Sequence, residues 1–80
     1  MAKLFIMNQY GKFQEIGTCT YQGDVLAKSR DMKETNIITL DRYCGNYLLE
    51  MFKAGNVIFS LNLGSIDEAK ALEIMSSLKF

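Results

Sequence analysis

The sequence predicts one α+β domain, an antiparallel β-sheet of about five strands in the order ββ(β)βββα, with one C-terminal helix packed on one face. Two patterns carry that expectation. Short apolar runs alternate with glycine- and asparagine-bearing turns as far as Gly64, and from Ser65 onward the apolar spacing lengthens to that of a helix. Proline is absent and the six glycines are isolated, so no linker or low-complexity tract divides the 80 residues. A chain of this length hides only about 60–65% of the surface its unfolded form exposes. With 49% of its residues hydrophobic, it is expected to fold rather than stay disordered.

At the front, Lys3 to Asn8 and Lys12 to Tyr21 read as the arms of a hairpin around Gln9-Tyr10-Gly11, with Gly11 supplying the turn and Gly17 marking a bulge. Gln22 to Thr35 is polar and charged, and its one apolar run, Val25-Leu26-Ala27, suggests a short edge strand within a mobile loop. Asn36 to Tyr43 carries Ile37, Ile38, Thr39, Leu40 and Tyr43, which suit a pleated surface, and Gly45-Asn46 offers a turn out of it. Tyr47 to Lys53 then reads as the first arm of a hairpin that turns through Ala54-Gly55-Asn56. The same stretch also suits a helix capped by Asn46 and ended by Gly55, with Leu48, Met51 and Phe52 on one face; strand is the favoured reading.

Val57 to Leu63 alternates, with Val57, Phe59, Leu61 and Leu63 on one side and Ile58, Ser60 and Asn62 on the other. In the last segment Ser65 is placed to cap a helix that begins at Ile66, and Glu68 would complete a capping box. Leu72, Met75 and Leu78, widened by Ala71 and Ile74, supply the stripe that seeks the sheet.

Nine basic and nine acidic residues cancel, so no global field draws in nucleic acid or an anionic membrane. Leu4-Phe5-Ile6-Met7 is too short for a signal-peptide core or a membrane span, and a cytoplasmic protein with reduced Cys19 and Cys44 is expected. Histidine is missing, which removes the side chain most used for proton transfer near neutral pH and the commonest metal ligand. Cys44 lies beside Arg42 but has no imidazole base, so it and Cys19 read as packed, unreactive thiols. The carboxylates are scattered, Gly11-Lys12 lacks the rest of a phosphate-binding loop, and no glycine-rich turn joins a strand to a helix. No catalytic residue, cofactor or metal site is expected.

The strongest clue to function is an apparent surplus of apolar faces. Leu4 and Ile6 oppose Phe5 and Met7, Ile37 opposes Ile38 and Leu40, and Leu48 and Phe52 oppose Tyr47, Leu49 and Met51. One helix covers one side of a sheet, and leaving large side chains wet forgoes about 1.5–3 kcal/mol each. The surplus points to burial by another chain, a homodimer partner or a foreign protein; the alternative is that the polar segment after Gln22 folds over the second face. The expected function is therefore a non-enzymatic protein-interaction module, an inhibitor or adaptor that occludes a macromolecular surface, a profile that phage-type accessory and anti-defence proteins share.

Candidate partner-binding residues are Lys28, Arg30 and Lys33 in the one local basic cluster, with Arg42, Tyr43 and Tyr47. A second possibility is a small polar ligand or nucleotide at an oligomer interface, held by Arg42, Tyr43, Tyr47 or Lys53. A weaker one is single-stranded nucleic acid on the basic cluster, which Asp24, Asp31 and Glu34 largely neutralise.

Overall fold

The computed structural model describes residues 1–78. Its elements are β1 (Ala2–Met7), β2 (Phe13–Cys19), α1 (Gln22–Met32), β3 (Ile37–Tyr43), β4 (Asn46–Lys53), β5 (Asn56–Gly64) and α2 (Glu68–Ser76). The five strands form one open antiparallel sheet in the order β2-β1-β3-β4-β5. The front hairpin forms as its sequence requires. Leu4 pairs with Gly17 but Phe5 with Glu15, so Ile16 is the extra residue of a bulge, and Gly17 holds φ 144°. The stretch that suited strand or helix is strand β4.

Gln22 to Met32 is neither an edge strand nor a loop but helix α1, and topology explains why. β2 and β3 are both antiparallel to β1, so they run in the same direction on either side of it. Joining two such strands takes a crossover of a dozen or more residues, which is ordinarily helical. The apolar stripe of α1 is interrupted: Val25 and Ser29 are buried and Met32 is half-buried, so a serine fills the middle position of an i, i+4, i+7 series. That serine is satisfied, since Ser29 Oγ accepts from the Gly55 amide at 2.7 Å and donates to the Leu26 carbonyl at 3.2 Å. The ends of α1 lack the usual caps, although Asp24 in the first turn and Arg30 in the last suit the helix dipole. Tyr21 at the N-cap makes no side-chain capping bond, and Lys33, a non-glycine at φ 42°, ends the helix.

The two helices lie on opposite faces of the sheet. Under α2, Ala71 and Met75 pack on Phe5, Ile38, Leu40, Leu49 and Met51. Under α1, Val25 packs on Leu4, Ile37 and Phe52, with Ile6, Leu26 and Met32 at the margin. β1, β3 and β4 are apolar on both sides because both sides are covered, as in any sheet sandwiched between helices. The surplus that a one-helix architecture would leave for another chain is thus largely buried within this one, by the segment after Gln22.

Both tight hairpins turn one residue earlier than glycine–asparagine pairing suggests. Tyr43 pairs with Asn46 and Lys53 with Asn56, leaving Cys44-Gly45 and Ala54-Gly55 as two-residue loops. All four hold φ between 51° and 80°, which is the geometry that matches the twist of a two-residue hairpin. The asparagines instead begin the returning strands.

The cap of α2 also differs from the sequence expectation: Asp67, not Ser65, is the N-cap, its Oδ1 accepting from the Lys70 amide at 2.8 Å. Gly64 at φ 85° turns the chain out of β5, and Ile66 tucks against the α2-side core before the helix starts. Ile66 thus precedes the cap as a hydrophobic staple and shares a cluster with Ala71.

Candidate functional site

An open sheet has two free edges, and here they differ. On β2 the edge carries Glu15 and the Ile16–Gly17 bulge, devices that discourage pairing with another strand. On β5 the nine residues Asn56–Gly64 contain no proline and no Asp, Glu, Lys or Arg. Val57, Ile58 and Leu61 there are 43%, 52% and 43% exposed.

Two register slips shape this strand. Phe59 pairs with Met51 but Val57 with Phe52, so Ile58 is extra, and Leu63 is extra between Asn62 and Gly64. The simple alternation read from the sequence is therefore broken at Ile58: Phe59 and Leu61 sit on the α2 side, whereas Val57 sits with Phe52 on the α1 side. Between the slips, Phe59 to Asn62 is regular.

The candidate residues chosen from sequence are only partly brought together. Arg42 and Tyr47 are direct cross-strand partners, and the guanidinium carbon lies 5.1 Å from the ring centroid, a cation–π contact. With Met1, Lys3, Leu40 and Glu68 they line a cleft of about 190 Å³. Lys3 Nζ is bonded to Glu68 Oε1. That hydrogen bond first, and then the negative charge of Glu68, hold the lysine above its ordinary pKa. Tyr43 follows Arg42 in the strand and is exposed at the hairpin end, pointing to the other face. Lys53 lies at the far end of β4, 3.7 Å from Glu34.

Lys28, Arg30 and Lys33 are close in sequence, but a helix sets residues two apart on different faces, so Lys28 and Arg30 diverge. Lys28 is exposed on α1 and Lys33 sits at its C-terminal cap. Arg30 lays its aliphatic stem against the Gly55 backbone, so its carbons serve the joint between α1 and the β4–β5 turn.

Cys44 is exposed in its turn rather than packed, and Cys19 is half-buried, its thiol donating to the Tyr21 carbonyl at 3.3 Å. Among the described residues no cluster of three Cys, Asp or Glu side chains could hold a metal ion. A groove of about 440 Å³ runs between the β1–β2 turn and α2, lined by Phe5, Gly11, Phe13, Leu72 and Met75 with Lys12 and Ser76. It offers an apolar floor and a single charge, with no convergence of polar groups on a point.

The alternation of β5 marks it as half-buried, so its edge does not stand out as a surface in the sequence. The available signal was different: Ala54 to Ile66 is the longest stretch of the chain without Asp, Glu, Lys or Arg.

The fold and its surface define a small α+β domain with both sheet faces covered and one uncharged edge free. Comparison with known proteins finds no matching family model, no similar curated protein and no matching solved structure. Among the described residues no helix is long and apolar enough to cross a membrane.

Proposed function

We propose that this protein is a non-enzymatic interaction module, an inhibitor or adaptor that binds a protein partner through the edge of β5 and covers part of its surface. The observation that carries the reading is the composition of that edge: nine residues without charge or proline, with Val57, Ile58 and Leu61 open to solvent. Edge strands are normally guarded by charge, as β2 is by Glu15, and one without charge or proline is a template for strand addition even where, as in β5, bulges interrupt it. Main-chain hydrogen bonds then give affinity, and side chains at alternate positions give selectivity.

The small-ligand reading is less well supported. A cleft of about 190 Å³ falls below the roughly 300–1,000 Å³ of ordinary ligand sites. Of the four donors considered, only Arg42 and Tyr47 border it. Nucleic-acid binding is weakened in the same way, because Lys28 and Arg30 fall on different faces of α1.

The test is affinity capture from the native host, comparing the natural chain with the double variant Ile58→Lys, Leu61→Lys. A stoichiometric protein retained by the first and lost by the second, with circular dichroism unchanged, supports the proposal. Failure of the natural chain to retain any such partner, or equal retention by both, overturns it.

A further inference from the structure

We infer that a second copy of this chain occupies the β5 edge, paired antiparallel about a two-fold axis at Ser60 so that two five-stranded sheets join into one. The inference rests on β5 being the docking edge, and it names the partner that this edge fits best.

The electrostatics of this edge permit self-pairing. Pairing a strand with itself about a two-fold axis sets any charge near the axis opposite or diagonal to its own copy, which destabilises a ladder. β5 has no charge to repel, and the whole chain carries a formal net charge of zero. The β2 edge would bring two copies of Glu15 into one ladder, and its bulge falls at Ile16, the middle of the strand, where the axis would lie.

Register favours the same pairing. A two-fold axis normal to the sheet keeps each face on its own side, so residues from the α2 side must meet residues from the α2 side. Ser60 is the midpoint of Asn56–Gly64, and centring there gives the longest overlap. It also sets Phe59 of each copy opposite Leu61 of the other, and both residues lie on the α2 side. Serine at the axis is small enough to face its own copy. The pairs regular on both strands are Phe59–Leu61 and Ser60–Ser60 at the axis; the bulged Ile58 falls opposite Asn62 just beyond them.

A strand of this length is about 30 Å long and a sheet about 10 Å deep, so edge pairing covers at most about 300–400 Å² per copy. Standing interfaces need roughly 1,000 Å² in total. The dimer is accordingly weak and exchanging, which leaves the edge available to a competing strand.

Two measurements on the full chain test this. Sedimentation equilibrium from about 1 μM to about 1 mM should show the mass rising from 9.1 kDa toward twice that value, and Leu61→Lys should abolish the rise. In a Cys19→Ser, Cys44→Asn background, Ser60→Cys should oxidise to a disulfide-linked dimer, since directly opposed residues of an antiparallel pair lie within disulfide reach. Gln14→Cys on the β2 edge should not.

A chain that stays monomeric at about 1 mM overturns the self-pairing, and the capture experiment with Ile58 and Leu61 variants then decides the docking reading on its own. A dimer that persists in Leu61→Lys, or one that crosslinks through Gln14→Cys in preference to Ser60→Cys, overturns the inference by placing the contact elsewhere.

Discussion

Ser29 shows how a single side chain ties this fold together. It is fully buried, yet its hydroxyl serves two main-chain groups: it accepts from the Gly55 amide in the β4–β5 turn and donates to Leu26 within α1. Beside it the Arg30 stem closes on Gly55, a position where φ 79° already disfavours any side chain. Ser29→Ala removes the oxygen and leaves a part-buried amide without its partner, a loss of about 1–3 kcal/mol. Urea titration should show a lower midpoint with an unchanged slope, because the same surface is exposed on unfolding. An unchanged midpoint would mean that water replaces the hydroxyl. The serine also explains why α1 is hard to read: a polar residue stands where periodicity looks for an apolar one.

At the level of elements, α2 is held by its apolar stripe, by the Asp67 cap and by the tie from Glu68 to Lys3 on β1. The tie has a definite pH signature. Lys3 is held above its ordinary value of 10.5 by its bond to Glu68, so the folded state binds that proton more tightly than the unfolded chain does. The contribution is fully present below the ordinary value and fades as pH rises through the raised one. Melting temperatures of the natural chain and Lys3→Met should differ by a small, constant amount through neutral pH and converge in alkali above about pH 10.5. Convergence already near neutrality would exclude the tie as the cause. Both partners are well over one-third exposed, so added salt should shrink the difference as well.

For the whole molecule, the central fact is a thin sheet covered on both faces by short helices. Phe52 lies at the junction of β4 with α1 and is 1% exposed. Phe52→Ala should cost about 3–5 kcal/mol. That approaches the lower end of the roughly 5–15 kcal/mol available to a domain. Thermal unfolding should show the variant near or past its midpoint at physiological temperature, whereas a drop of only a few degrees would mean that α1 collapses onto the vacancy. Most of the fold is legible without coordinates: the front hairpin with its bulge at Gly17, three later strands and a C-terminal helix all follow from spacing and turn residues. The candidate site is less so, because only Arg42 and Tyr47 of the six chosen residues form one contact.

What the sequence determined by itself was local: where apolar residues alternate, where they recur at helical spacing, and where glycine permits a turn. Tertiary structure decided everything that depends on which strands are neighbours. The crossover from β2 to β3 around β1 makes α1 a helix despite weak capping and a serine in its core stripe. That helix takes up the second apolar face of β1, β3 and β4, and the same strand order places β5, uncharged, at an edge. Periodicity reports the side on which a residue lies, but covering a face or freeing an edge depends on contacts between residues far apart in the chain, which no local pattern encodes.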